Sequence, residues 1–322
     1  MAILKPILYI LVYPGLIFLL VYSTFCEWLD RKLYARMQNR IGPLHTGRSG
    51  ILQPVADIIK LFAKEDIVPE NADKHMFSAL PVFALAIVCT AALYLPVWHY
   101  STASSAISFS GDLIVVAYLL TLPTLIFFLA GWHSTNFFSA IGGVRVLTML
   151  FGYEIPLLLA LLSPAVLAGS WRIVEIAVFF QNKPLLLLVN SIGFFIALIA
   201  LQAKLERVPF DIPHAETEIV GGQFTEYSGK KLAFFRLLGD IEMVVGSGLI
   251  AAVFMGGFPG GVIWGLVHFV VKTCVVIFLL AAMRAATSRI RIDQMINFSW
   301  RWLAPLAVLQ LFIVIIIKGM RS

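Results

Sequence analysis

Several apolar runs of roughly 18 residues or more decide what this chain can become, because an α-helix needs that length to cross about 30 Å of hydrocarbon. In lipid a segment must satisfy its own backbone groups, which a helix does and an open strand does not. The alternating segments of about ten residues that mark a membrane β-barrel are absent. Of the 322 residues, 60% are hydrophobic and 13% charged, and the mean hydropathy is +0.91, so the charges are too few to cover the surface of a soluble domain. The chain reads as one all-α, polytopic integral membrane domain over residues 1–322. Eight transmembrane helices are expected, at about 7–26, 77–98, 112–132, 147–168, 185–203, 232–256, 262–282 and 300–318. Glu154 and Pro156 interrupt the start of the fourth. The first is expected to be retained, because it runs long and leads into Cys26-Glu27-Trp28 without a small-residue cleavage pattern.

Basic residues set the expected orientation. The connections after the first, third, fifth and seventh spans carry 17 of them, including Arg31, Lys32, Arg36, Arg40, Arg145, Lys204, Arg207, Arg289 and Arg291. The opposite side carries 5: Lys5, Arg172, Lys183, Lys318 and Arg321. Both termini should therefore face away from the cytoplasm of a cell-membrane protein. Long cytoplasmic loops should lie at about 27–76, 133–146, 204–231 and 283–299. The formal charge of +6 follows from this bias and calls for no nucleic-acid partner. Cys26, Cys89 and Cys274 lie far apart with no C-x-x-C spacing, so the chain offers no iron–sulfur or metal cradle of its own. No dinucleotide fingerprint is present; Gly256-Gly257-Phe258-Pro259-Gly260-Gly261 reads as a tight turn between two spans. Redox cofactors, if used, belong to other subunits.

The inner loops are where patterned chemistry appears. In the first, Gly42-Pro43 should end a helix, and a segment of about 14 residues near 53–66 places Val55, Ile58, Ile59 and Phe62 on one face. That is too short to span and is read as an amphipathic interfacial helix, on the inner leaflet or beneath a docked subunit. In the third loop, Pro209 and Pro213 hold the chain extended, and five carboxylates (Glu206, Asp211, Glu216, Glu218 and Glu226) sit beside apolar spans. Acids so close to lipid are costly, and such clusters mark proton or ion paths.

These loops carry a resemblance. Asp30-Arg31-Lys32 through Gln38-Asn39-Arg40-Ile41-Gly42-Pro43, then Gln53-Pro54-Val55-Ala56-Asp57 and Lys64-Glu65-Asp66, are similar to the first inner loop of the complex I subunit 1 family. Pro209-Phe210-Asp211, Ala215-Glu216-Thr217-Glu218 and Glu226-Tyr227-Ser228-Gly229 resemble its third. Ala130-Gly131-Trp132, Gly152-Tyr153-Glu154 and Arg289-Ile290-Arg291-Ile292-Asp293-Gln294-Met295 complete the likeness, which covers nearly the whole chain. The resemblance implies eight spans, a docking site for a hydrophilic module carrying Fe-S clusters, and buried acids linking that module to antiporter-like, ion-translocating membrane subunits. The family includes the heel subunit of NADH:quinone oxidoreductase and its counterparts in energy-converting [NiFe] hydrogenases. His214 in the acidic triplet, Gly239-Asp240 where the quinone branch places Glu-Tyr, Asp30, and Gly142-Gly143-Val144-Arg145 lean toward the hydrogenase branch or a related sulfur-reducing complex. That branch implies a NiFe centre in a neighbouring subunit and reduced ferredoxin as donor; the alternative implies quinone bound beside the Pro209-Phe210-Asp211 loop.

The chain is expected to be non-catalytic alone. Glu154, Asp211, His214, Glu216, Glu218, Glu226, Asp240 and Glu242 are the expected charge relay, and Asp30, Arg31, Arg36, Arg40 and Arg291 the expected docking residues. Plainer readings stand beside these. Glu154 could pair with Arg145, Asp240 and Glu242 could be balanced by Arg236, and Lys272 should find an acidic partner. A passive scaffold and a secondary transporter are the rival classes; the latter should show internal repeats, and none is found.

Overall fold

The computed structural model describes residues 11, 12, 15–97 and 108–320, and every regular element among them is helical. The main helices are α1 (Leu16–Met37), α2 (Gln53–Ala63), α3 (Lys74–Leu93), α4 (Asp112–His133), α5 (Phe137–Ala168), α6 (Ile173–Asn182), α7 (Ser191–Lys204), α8 (Gly229–Phe254), α9 (Val262–Ala286), α10 (Ile292–Phe298) and α11 (Ala304–Gly319). A π turn, Ser299–Leu303, joins the last two into one rod. Six of the described helices are long and apolar enough to cross a membrane: α3, α4, α5, α8, α9 and the α10–α11 rod. Part of the expected first span lies outside the described residues. Its described part, α1, continues past residue 26 and carries Asp30 and Arg31 on a helix rather than in a loop.

Two further expectations are adjusted. The fifth span is broken at Asn190 into a short turn of helix, Leu186–Val189, and α7. The fourth starts ten residues early, so the expected loop near 133–146 shrinks to Ser134–Asn136, and Asn136 caps α5 by accepting from the Phe138 N–H at 2.8 Å. Pro156 lies inside α5 without ending it. A membrane helix can hold a proline where neighbouring groups re-satisfy the carbonyl that the ring frees.

α8 is the axis of the bundle. Its most apolar window is 89% buried, against 22% for the α10–α11 rod, which presents Trp300, Trp302 and Phe312 outward. α1, α2, α3, α6, α7 and α9 pack around α8, and α5 packs against α4, α7 and α11. Beneath α8, the interfacial helix α2 lies with Phe62 edge-on to Phe234 at 5.5 Å while Ile59 faces outward.

The first and third inner loops are clasped together. Lys231 donates to both oxygens of Asp66 (2.7 and 2.6 Å), Ser228 Oγ accepts from the Ile67 N–H (3.1 Å), and Phe77 stacks on Tyr227 at 4.0 Å. The Lys64-Glu65-Asp66 and Tyr227-Ser228-Gly229 motifs are therefore two halves of one fastening. The remainder of the third loop returns over α5 at Gly222, whose φ of +56° and proximity to the Pro213 carbonyl leave no room for a side chain. It settles on Gly142, where an added Cβ would lie 2.5 Å from the Gln223 nitrogen. Gly142→Ala should thus lower the thermal unfolding midpoint in detergent by about 5 °C. Gly261→Ala, whose added methyl meets nothing within 4 Å, should leave it unchanged. Equal midpoints for the two variants would contradict the packing described.

Candidate functional site

The third loop leaves α7 through Glu206 and Arg207, and these neighbours part company. Glu206 has φ +50°, a left-handed conformation that a non-glycine residue adopts at a cost and that is common at functional sites. The turn sends the two side chains into different networks of charge.

Arg207 enters the first. Its guanidinium reaches Asp30 Oδ2 (2.9 Å) and Glu27 Oε2 (3.1 Å), and Arg284 reaches the same Asp30 oxygen at 3.1 Å while lying over the Tyr34 ring. Arg31 pairs with Glu27 (2.7 Å) and with Asp57 (2.6 Å), whose other oxygen accepts from Gln53 Nε2 at 2.9 Å. Burial alone would raise the Asp57 carboxyl's affinity for a proton, but the bonds from Arg31 and Gln53 outweigh it and hold the group below its ordinary range. Asp240 faces this network, within the field of Glu27, Arg207 and Arg31. Buried charges of both signs with several hydrogen bonds each are what a stable ionic core requires. Asp30 is 1% exposed, and its Oδ2 is turned inward to Arg207 and Arg284 rather than to the surface where a docked subunit was expected to meet it. Arg31 is committed to Glu27 and Asp57. Arg36, Arg40 and Arg291 are exposed on the loop-bearing side.

Glu206 enters the second network. Its Oε2 accepts from His214 Nε2 (2.7 Å) and from Gln223 Nε2 (2.8 Å), and the imidazole stacks on Phe224 at 5.5 Å. Burial works against a charged His214, but the hydrogen bond and charge of Glu206 prevail, with help from Asp211, so its pKa stands above the ordinary 6.5. Asp211 is held above the ordinary carboxylate range by burial, opposed by His214 and Arg289. Glu206 and His214 line a 390 Å³ cavity together with Phe224 and Phe235. Lys204 and Glu242 line it too, and are 0% and 2% exposed with Nζ and Oε1 3.8 Å apart. Lys204 also lies over the Tyr153 ring at 5.5 Å, and the Tyr153 hydroxyl is 2.9 Å from Thr124 Oγ1. Glu154 follows, accepting from Thr121 Oγ1 at 2.6 Å, with its Oε2 buried and unpartnered among the described residues. Its charge acts on Glu242.

The remaining expected relay residues lie elsewhere. Glu218 has a 53% exposed side chain and pairs with Arg145 (2.6 Å) and Arg289 (3.6 Å); the Arg145 bond holds its carboxyl below its ordinary range. Arg145 therefore serves Glu218 and not Glu154. Glu216 is exposed, and Glu226 accepts from Asn136 Nδ2 at 2.5 Å. Glu242 is balanced by Lys204 rather than Arg236. Lys272 has no acid as its partner in these bonds: it donates to the carbonyl oxygens of Met255 (2.7 Å) and Gly257 (2.6 Å), closing the C-terminal end of α8. Sequence reasoning missed Lys204, and it counted Glu206 in the acidic cluster without placing it in the relay. The available signal was a lysine and an acid at the end of an apolar run, two residues apart.

The fold and site define a class: a polytopic membrane protein with a string of titratable groups reaching from a loop into the bundle. A sequence model of the NADH dehydrogenase family matches residues 10–315. The chain is 34% identical over 302 residues to the H subunit of NADH-quinone oxidoreductase from Carboxydothermus hydrogenoformans, covering 92% of this chain and 85% of that one. It is 35% identical over 308 residues to the protein of the same name from Dehalococcoides mccartyi, covering 95% and 86%. The Bacillus mycoides protein of that name is 38% identical over 317 residues, covering 95% and 94%. The chain belongs to the complex I subunit 1 family. These relatives carry the quinone name, so the weight placed on the hydrogenase branch moves to the quinone branch.

Two outcomes follow from the networks. Arg207→Gln should cost about 3 kcal/mol of stability, because it strips a partner from the buried Asp30. Arg145→Gln should cost no more than about 1 kcal/mol, because Glu218 remains in solvent. Unfolding in mixed micelles measures both, and equal costs would contradict the assignment. The raised His214 pKa means its bond to Glu206 contributes stability fully below pH 6.5 and loses it as pH rises through the higher folded value. Hydrogen exchange of residues 206–227, corrected for intrinsic rates, should accelerate over that rise in the parent and not in His214→Gln.

Proposed function

We propose that this chain is the membrane subunit through which an NADH:quinone oxidoreductase-type complex couples electron transfer to ion translocation. One observation carries the reading: Glu206, His214, Lys204 and Glu242 line one cavity, and the charges of Glu206 and Glu154 both act on Glu242. A passive anchor has no use for charges buried at that cost. The redox groups belong to its partners. Electrons arrive on Fe-S clusters of a hydrophilic module docked on the loop-bearing side, and quinone is reduced beside the Pro209-Phe210-Asp211 loop.

Arg36, Arg40 and Arg291, exposed on that side, grip the module by charge-assisted hydrogen bonds, with Glu218 set among Arg145 and Arg289 as a further contact. The loop-bearing side faces the cytoplasm and the termini lie opposite, in accord with the 17 to 5 division of basic residues. Antiporter-like subunits take up the far end of the relay. A change of charge at the loop alters the proton affinity of the next buried group, and so on inward, which is how a redox event acts at a distance without moving electrons through this chain.

The test uses the intact complex in sealed vesicles, with ion pumping and electron transfer measured together. Glu154→Gln and Glu206→Gln should each reduce pumping per electron to background while electron transfer to an artificial acceptor survives. Undiminished pumping in both variants would overturn the relay.

A further inference from the structure

Among the described members of the buried string, Lys204 is the one lysine, and its surroundings hold it loosely. At 3.8 Å, its Nζ lies beyond hydrogen-bonding distance of Glu242 Oε1, and neither atom has a hydrogen-bond partner among the described residues. A second buried carboxylate oxygen, Glu206 Oε1, is likewise unpartnered among them, because His214 and Gln223 both use Oε2. All three residues line the same cavity. One donor on a flexible four-carbon stem thus faces one space with two open acceptors. An unsatisfied buried charge is expensive, so whichever carboxylate is more negative draws the ammonium.

We propose that Lys204 is the internal switch of the relay and exchanges partners between Glu242 and Glu206. The inference rests on the coupling role proposed above. While His214 is protonated, Glu206 is compensated and Lys204 stays with Glu242, keeping it ionised. When His214 releases its proton to the loop side, Glu206 keeps its Gln223 hydrogen bond but loses its charged partner, and the ammonium swings to it. Glu242, now uncompensated, binds a proton from the Glu154 side. One proton leaves at His214, one is bound at Glu242, and Lys204 remains ammonium throughout. The other groups facing these residues are Tyr153 and Glu154 from α5, Arg236 from α8, and Asp211 from the loop. Tyr153 supplies a ring face against which the ammonium rests in the Glu242 position.

The experiment is difference infrared spectroscopy on the intact complex, following the carbonyl stretch of a protonated buried carboxyl as pH rises through the His214 titration. The parent should develop a band that Glu242→Gln abolishes and that His214→Gln shows at all pH values, since a neutral side chain at 214 leaves Glu206 without that charged partner. Lys204→Met, with no ammonium to keep Glu242 ionised, should show the band constitutively. Lys204→Arg, a planar fork that cannot follow the same swing, should pump several-fold less per electron in sealed vesicles. A band that ignores pH in the parent, or Lys204→Met with an ionised Glu242, overturns the switch. Should Lys204→Met fail to fold, the comparison of the parent with Glu242→Gln decides alone. If Lys204→Arg pumps normally while Glu154→Gln and Glu206→Gln do not, the switch fails and the relay stands. If all three pump normally, the relay itself fails.

Discussion

Everything inside this bundle depends on the matching of charges carried below the membrane surface, and the matching turns on two adjacent residues. Arg207 closes an ionic core with Glu27 and Asp30, while Glu206 is directed to His214, Gln223 and the cavity. The left-handed backbone at Glu206 is what separates them. The first network fixes α1, α2, α9 and the loop together. The second opens on a cavity that Lys204, Glu206, His214 and Glu242 line.

Much of the frame was legible in the amino-acid order. The apolar lengths mark most of the spans because lipid allows few alternatives. The motif Lys64-Glu65-Asp66 and the motif Tyr227-Ser228-Gly229 stand out because each is half of a fastening, although their contact is invisible without the fold. Asp240 and Glu242 are two apart on a helix, which places them on opposite faces, and they do serve opposite networks. Lys204 was not legible. Counted by position, it is one more basic residue at the end of an apolar run, and only the approach of α8 shows that it points inward. Glu206 was hidden for a related reason, since a loop carboxylate turns in or out according to a single φ angle that no hydrophobic pattern encodes. Lys272 shows the opposite error: a buried lysine invites an acidic partner, yet backbone carbonyls at a helix end accept its protons.

The exposed side of the loop has a different logic. Glu218 and Arg145 meet at the surface where solvent screens them, so they add little to stability. They line one surface pocket with Arg291 on the loop-bearing side. His214 lies in the loop near Asp211 and donates to the buried carboxylate of Glu206, whose hydrogen bond and charge raise the proton affinity of the imidazole.

Taken together, the two networks are proposed to serve a quinone-reducing machine. The most direct measurement isolates the intact complex in mild detergent through a tag on this chain. Quinone reduction with NADH or reduced ferredoxin is then assayed in parallel with hydrogen evolution. Inhibitor-sensitive quinone reduction without hydrogen evolution is the predicted result. Hydrogen evolution from reduced ferredoxin without quinone reduction would contradict it and return the chain to the hydrogenase branch.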